Sequence, residues 1–518
     1  AFVLVLIYMI AYYGLVPGLI ADAALVCNVF LIFGVLASLK AVLTLPGIAG
    51  IVLTLGMAVD ANVLIYERIR EELSAGKNMK QALKDGYGNA MSAIIDANVT
   101  TILTGIILAY FGTGPIKGFA TTLIIGILCS LLTAIFVSRL IFDLYSKSEG
   151  FEKLTFSTKL SENWFKNVKF DFIGKSKPYL MAAFGVIIVA IVSLFAIGLQ
   201  QGIDFSGGRN YTVKFEKDVT TGEVKKLLDN AFDGANASVI TIGSADQVRI
   251  STNFRIHDTE DDVDADIESR LYNSLKPILN NGVSEDMFVN RYVVNDGVAS
   301  LADAQSEVTY GIQSSQKVGP TMADDIKISA VIAVLIAMLG IGLYIFLRFN
   351  RIAYSGGALL ALAHDTLFIL LLYCILPLTG VVPFSLEVDQ SFIAAILTVI
   401  GYSINDKVVI FDRIREFIRN RKGADFNKQD VFNSAISSTL SRTFSTSLST
   451  LIVLVIIFFF GGETIRGFIF AMLIGVIVGT YSSIFIAAPF ACKYYSAKAD
   501  EEEEAKRIEK EKRLAERA

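Results

Sequence analysis

The sequence predicts a polytopic α-helical membrane protein of about 11 transmembrane helices, in two parallel-repeat halves with a small α+β domain between them. Three observations carry that reading. Eleven apolar runs approach or exceed the roughly 20 residues needed to span a bilayer. The hydrophobic fraction is 53% and the mean hydropathy +0.56, against about 45–50% apolar residues in an ordinary soluble domain. One helical run also recurs: Gly56-Met-Ala-Val-Asp-Ala-Asn-Val-Leu-Ile followed by Tyr66-Glu-Arg-Ile-Arg-Glu, and Gly401-Tyr-Ser-Ile-Asn-Asp-Lys-Val-Val-Ile followed by Phe411-Asp-Arg-Ile-Arg-Glu.

The apolar runs lie at 1–16, 22–39, 46–67, 89–111, 118–143, 179–199, 327–347, 352–378, 391–412, 434–460 and 466–492. They divide the chain into a first membrane half (1–145), a polar Lys-rich linker (146–177), a single span (178–200), a polar domain (201–325), the remaining spans (326–495) and a charged tail (496–518). The first run is short, and Ala1-Phe-Val-Leu carries neither the basic start nor the cleavage site of a signal peptide. The sequence therefore reads as a fragment whose N-terminus lies upstream.

Loop charge sets the orientation. Residues 67–84, 146–177, 348–351, 413–428 and the tail are rich in Lys and Arg, whereas 111–117 and 461–466 are short and nearly uncharged. With eleven spans all the basic loops fall on one side, the cytoplasmic one. The 201–325 domain then lies outside the cytoplasm, in the periplasm if the cell has one. Within that domain Tyr211-Thr-Val-Lys-Phe, 238–242 and 247–251 alternate as strands. Residues 221–232, opened by Thr220 or Thr221, and 262–279 have helical periodicity. That order fits the split βαβ, ferredoxin-like arrangement. The glycines of Gly202-Ile-Asp-Phe-Ser-Gly-Gly make the turn into the domain. The repeat reaches further, since Ile116-Lys-Gly-Phe returns as Ile465-Arg-Gly-Phe. Both acidic helices end in Arg on the same side, which makes the repeat parallel and puts sites between the halves.

Charges within the spans are the candidate functional residues, because each costs roughly 2.5–3.5 kcal/mol at the bilayer centre on insertion scales. They are Asp60, Asp96, His364, Asp365, Asp406, Lys407 and Arg442. At about 1.5 Å rise per residue, Asp60 and Asp406 lie about 10–12 Å in from the cytoplasmic border. Asp96 and Arg442 reach a similar level from helices that start at that border. Asp406 and Arg442 stand on consecutive antiparallel helices where they could pair. Pairing keeps Asp406 ionised, and withdrawal of Arg442 would let it take a proton. Asp60 could share Arg442 or receive that proton. A static ion pair fixing helix register is the other reading. His364 and Asp365, about 18–20 Å deep, are either a second relay or a helix–helix hydrogen bond. Asp96 is a relay or the cap of a polar seam. Lys407, about 100° around the helix from Asp406, reaches another carboxylate or snorkels.

Other signals are plainer. Cys27, Cys129, Cys374 and Cys492 fall in or beside apolar runs and read as inert core residues. With two histidines a His-based metal site is excluded, and no Walker sequence binds ATP. Asp262, Asp264 and Asp266 have calcium-loop spacing without its turn glycine and read as a solvated helix start. The 501–517 tail interleaves Glu with Lys and Arg like a solvated helix. No enzyme, cofactor, metal or nucleic-acid role is expected; protons are the expected coupling ion and lipids the surroundings.

These residues resemble a known family. Leu45-Pro-Gly-Ile-Ala-Gly-Ile-Val-Leu-Thr-Leu-Gly with Val59-Asp-Ala-Asn-Val-Leu-Ile looks like a SecD half. Gly202-Ile-Asp-Phe-Ser-Gly-Gly, Ala363-His-Asp, Gly401-Tyr-Ser-Ile-Asn-Asp and Leu440-Ser-Arg-Thr look like a SecF half. From its start to about residue 495 the chain resembles the SecDF family, the fused accessory of the bacterial protein-export channel. It is related to proton-driven efflux pumps of the resistance-nodulation-division type. The resemblance implies a proton-motive-force-driven step in late preprotein export. It implies essential acids at Asp60 and Asp406, an essential arginine at Arg442, and SecYEG, YajC, YidC and the preprotein as partners. It also implies that a first helix and a large first periplasmic domain precede this chain. Lys407 departs from the small hydroxyl residue expected beside the acid. Two rivals stay open: a proton-coupled exporter of lipids or small molecules, and a passive scaffold joining channel and insertase.

Overall fold

A computed structural model describes residues 2–495, except 42, 160, 163–164, 166–169, 230, 233–236, 243, 259–261, 281, 296–297, 302–308, 383 and 421–426. The charged tail lies outside the described residues.

The first half comprises α1 (Phe2–Tyr13), α2 (Leu15–Ser38), α3 (Leu45–Ser74), α4 (Met79–Phe111), α5 (Pro115–Leu132) and α6 (Ser138–Tyr145). The helix α7 (Ser176–Ala196) leads into the polar domain. That domain holds α8 (Ile203–Ser206), β1 (Gly208–Lys214), α9 (Thr221–Leu228), β2 (Ala237–Thr241), β3 (Gln247–Thr252), α10 (Val263–Leu275), α11 (Glu285–Val289), β4 (Tyr292–Asn295), β5 (Val298–Leu301) and β6 (Gly311–Val318). The second half closes with α12 (Pro320–Phe349), α13 (Ile352–Thr379), α14 (Gln390–Asn420), α15 (Lys428–Phe460), α16 (Glu463–Ser482) and α17 (Ala488–Tyr494). Among the described residues ten helices are long and apolar enough to cross a membrane, and Phe2–Tyr13 is a shorter apolar one. The chain is a multi-span membrane protein.

Local chemistry sets the helix ends. Thr44 accepts the Gly47 N–H at 3.1 Å to open α3, and Asn78 accepts that of Gln81 at 2.9 Å to open α4. The helices α12 and α13 stop at left-handed residues, Asn350 and Gly380. The two halves share a detail that periodicity does not reveal. A single π-helical turn joins α5 to α6 at Thr133–Val137, and another joins α16 to α17 at Ser483–Ala487.

The central helices cross closely where the repeat places glycine. A Cβ on Gly126 would lie 2.5 Å from Thr54 Oγ1, and one on Gly475 would collide with Val399. Between the halves, Gly401 of α14 lies against Thr101 and Thr104 of α4, and its counterpart Gly56 of α3 lies against Thr450 of α15. The Thr101 hydroxyl donates to the Gly401 carbonyl at 3.2 Å. Small residues let helix backbones approach in this way where lipid supplies no hydrophobic drive.

The polar domain has an antiparallel sheet in the order β2-β3-β1-β6, with α9 and α10 as its helices. That is the expected split βαβ order. Thr220 caps α9, accepting the Glu223 N–H at 3.3 Å. Tyr211, Val213, Val248, Ile250, Val224, Ile267 and Leu271 fill its core. Gly207 takes φ +69 and Gly208 φ +151, where a Cβ on Gly208 would sit 2.8 Å from the Thr252 carbonyl. The turn therefore requires glycine. Asp264 binds Arg209 at 2.5 Å, and Asp266 binds Arg255 at 3.2 Å. Asp264 joins the helix to the sheet and Asp266 joins it to the turn after β3, and no metal cluster occurs among the described residues.

One junction ties this domain to α14. Gly202 N–H donates to the Val388 carbonyl at 3.0 Å and Val388 N–H to that of Gln200 at 2.7 Å. Asp204 accepts the Gln390 N–H at 3.2 Å, Asp389 accepts that of Phe392 at 2.8 Å, and Ser238 donates to Glu387 at 2.9 Å. Burial pushes the Asp389 carboxyl up to about 6, with Asp204 and Glu387 adding to it. Because that value exceeds the unfolded one of about 3.9, the folded chain binds the extra proton between about pH 4 and 6. The stabilisation is full below about pH 4 and is lost as pH rises through about 6. The thermal midpoint of the parent chain in detergent should fall relative to Asp389→Asn between pH 4 and 6, then level off. A constant offset would mean that Asp389 titrates as an ordinary carboxylate.

Candidate functional site

Asp60 sits on α3, Asp406 on α14 and Arg442 on α15, and each is 8% exposed. The α3–α15 and α4–α14 crossings described above bring them into one electrostatic group. A cavity of about 30 Å³ open to the centre of a water-sized sphere lies between the halves. Asp60, Asn98, Tyr402, Asn405 and Arg442 supply its polar wall. That space has room for about two waters, and its lining is polar enough to keep them. Among the described residues, Asp60 Oδ1, Asn405 Oδ1, and Nε and Nη1 of Arg442 have no hydrogen-bond partner. Water in the cavity would satisfy them.

The direct Asp406–Arg442 pair is not formed. Among the described residues no carboxylate lies within 4.0 Å of the Arg442 guanidinium. Asp406 instead accepts the Thr480 hydroxyl at 3.4 Å, and Thr480 exchanges a 2.6 Å hydrogen bond with Ser447. Tyr402 donates to Thr450 at 3.0 Å and lines the cavity with Asp60 and Arg442. The guanidinium therefore stands between two carboxylates without being committed to either.

Lys407 lies in a second, separate cluster. Its ammonium binds Asp365 at 3.1 Å, and the two side chains are 0% and 1% exposed. The same carboxylate accepts Ser403 and Ser482 hydroxyls, each at 2.8 Å, and His364 Nδ1 lies 3.3 Å from its other oxygen. Of the readings left open by the sequence, Lys407 reaches another carboxylate, and Asp365 joins α13, α14 and α16. Asp96 is held at 2.7 Å by both Arg348 Nε and the Tyr344 hydroxyl of α12. It belongs to a polar seam, away from the cavity.

Several residues escaped the sequence reading. The repeat register puts Asn405, not Asp406, opposite Asp60, and Ala61 opposite Asp406. Strict alignment of the two runs would have marked Asn405. Asp22 is buried in α2 with Oδ1 unpartnered, and both polar atoms of the buried Asn28 also lack partners among the described residues. The predicted run begins at residue 22, so Asp22 looked like a border residue. The helix starts at Leu15 and places it two turns inside.

Comparison with known proteins agrees with this architecture. The signature of the protein export membrane protein SecD/SecF C-terminal family matches residues 1–148 and 299–497, and that of the SecD/SecF GG motif matches 192–219. The protein translocase subunit SecDF of Bacillus subtilis is 32% identical over 507 residues, covering 94% of this chain and 62% of that protein. The crystal structure of SecDF from Thermus thermophilus, described as a translocon-associated membrane protein, superposes with a TM-score of 0.78 at 32% identity. It covers 95% of this chain and 61% of that one. SecDF in a super-membrane-facing form gives a TM-score of 0.69 at 31% identity, covering 98% and 62%. The chain thus spans about three-fifths of the length of these relatives.

Breaking a buried ion pair from one side costs about 3–5 kcal/mol, whereas replacing both partners by apolar groups costs far less. Lys407→Met should therefore lower thermal stability sharply in detergent, and Lys407→Met with Asp365→Leu should recover most of the loss. Equal losses in the single and double variants would show that the pair does not carry the packing.

Proposed function

The chain belongs to the SecD/SecF protein-export family, and from that premise we propose that it forms the membrane part of a proton-motive-force-driven accessory of the Sec translocase. In this reading it acts late in export, helping to draw a preprotein across the bacterial inner membrane. The 201–325 domain faces the periplasm, and the basic loops face the cytoplasm. SecYEG, YajC and YidC are the membrane partners, and the translocating preprotein is the substrate.

The observation that carries the reading is Arg442, buried beside a polar cavity and committed to neither Asp60 nor Asp406. A proton arriving from the periplasm neutralises one carboxylate, and the guanidinium is then drawn to the other. Both acids lie on the helices at the centre of the two halves, so a change of partner becomes a change of helix packing. Release of the proton to the cytoplasm restores the first state. The protein's groups hold and pass the proton, and no covalent step is needed. The junction at 200–204 and 387–390 joins α14, which bears Asp406, to the periplasmic domain. Helix movement at the acid thereby reaches the face where a preprotein emerges.

The test uses membrane vesicles carrying the export channel, with a preprotein stalled partway, ATP removed and a proton gradient imposed. Export should be completed with the unaltered protein and fall by at least about tenfold with Asp60→Asn, Asp406→Asn or Arg442→Ala. Loss of one obligatory charge commonly costs this much or more. Equal completion by all four would overturn the proton role and favour a passive scaffold joining channel and insertase.

A further inference from the structure

The two copies of the recurring Arg-Ile-Arg-Glu run meet at the basic ends of α3 and α14. Arg68 binds Glu71 on its own helix at 2.9 Å and Glu416 of the other half at 3.3 Å. Arg413 binds Glu416 on its own helix at 2.9 Å and Glu71 of the other half at 3.0 Å. Four residues thus close a ring of alternating charge that obeys the repeat's pseudo-two-fold symmetry. Their side chains are between 13% and 39% exposed.

The ring lies on the same helix faces as the acid cavity. On α3 that cavity is lined by Met57, Asp60, Ala61 and Leu64, and on α14 by Tyr402 and Asn405. Helical spacing carries the α3 face on to Arg68 and Glu71, and the α14 face through Val409 to Arg413 and Glu416. From Leu64 to Arg68 is one turn, about 6 Å along the axis. The ring thus joins the halves about one helical turn beyond the cavity lining.

We propose that Arg68, Glu71, Arg413 and Glu416 form a reversible gate that closes the cytoplasmic end of the cavity between the two halves. The inference rests on the proton-coupled reading, which supplies the need for alternate access. Its physical basis is the division of the four contacts. Two bonds cross between the halves and two lie within a helix at i,i+3. When the halves part, the crossing bonds break, yet each arginine keeps the glutamate of its own helix. No charge is left unpaired, so opening avoids the penalty of stranding a half-buried ion. The Lys407–Asp365 pair lacks that alternative, because a parted Lys407 would have no second carboxylate among its contacts. The first arrangement suits a moving part, and the second suits a fixed one.

The gate predicts access to the cavity from the cytoplasmic side. The substitution Asn98→Cys puts a thiol on the cavity wall, and its modification by a membrane-impermeant thiol reagent is followed in inside-out vesicles. The chain that keeps Asn98 gives the background from the native cysteines. Glu71→Gln with Glu416→Gln leaves two arginines facing each other without acids, and labelling should rise by roughly tenfold, the scale of a modest ion-pair network. The fourfold exchange Arg68→Glu, Glu71→Arg, Arg413→Glu and Glu416→Arg rebuilds the ring with reversed sign and should return labelling to the parent rate. Unchanged labelling in the double variant, or labelling that stays high after the exchange, overturns the gate. Proton uptake by liposomes bearing the double variant is measured in parallel. Raised labelling with no added proton leak, or with a leak that Asp60→Asn does not abolish, would leave the gate standing and overturn the proton route through Asp60.

Discussion

A charge placed in an apolar helix must be paired, hydrated or lost, and this single constraint organises the membrane part of the protein. Bulk water does not reach the bilayer core, so each buried ion draws on a neighbouring helix or an enclosed polar cavity for its partners. Asp365 and Lys407 resolve the demand completely, with two serines and a histidine filling the remaining positions. Asp96 resolves it with Arg348 and Tyr344. Asp60 and Arg442 leave it partly unresolved around a small polar cavity, and Asp406 meets it with a 3.4 Å contact from the Thr480 hydroxyl. Fully satisfied clusters hold helices in place. The partly satisfied one is where a small change of protonation can alter which helices attract.

The duplicated architecture makes this contrast sharper. Glycine crossings and π-helical turns recur in both halves, and each half contributes an Arg and a Glu to the one ion ring. The charges between them do not recur. Asp60 faces an asparagine in the repeat register, and Asp406 an alanine. Two identical halves would place two acids at equivalent depths with no reason for a proton to prefer either. Displacement by one residue, and a single arginine contributed by α15, make the two acids unequal.

Much of this was legible in the chain itself. The apolar runs located the described helices to within about one turn at most boundaries, because hydrophobic length is the dominant signal in a bilayer. Charged helix extensions such as 68–74 and 79–88 were missed, since they continue beyond the apolar stretch as ordinary amphipathic helix. The split βαβ domain followed from strand and helix order. Depth along the helices correctly brought Asp60 and Arg442 to one level, but depth says nothing about azimuth. Depth therefore allows a direct Asp406–Arg442 pair, which the structure does not form, and it leaves the Asp365 partner of Lys407 as one of two readings. Asn405 and Asp22 escaped for simpler reasons, an unaligned repeat and a misplaced helix start.

The junction at 200–204 and 387–390 has a mechanical consequence. It fastens the polar domain to one end of α14, while the ion ring grips that helix near the other. At about 1.5 Å per residue the distance between them is about 35 Å. A helix held at one end and loaded at the other is a lever: a tilt of about 5° at the ring would swing the junction by about 3 Å. Such an arc is close to the length of the hydrogen bonds that make the junction, 2.7 and 3.0 Å between backbone groups. Under such a tilt the domain must travel with the helix or the bonds must part.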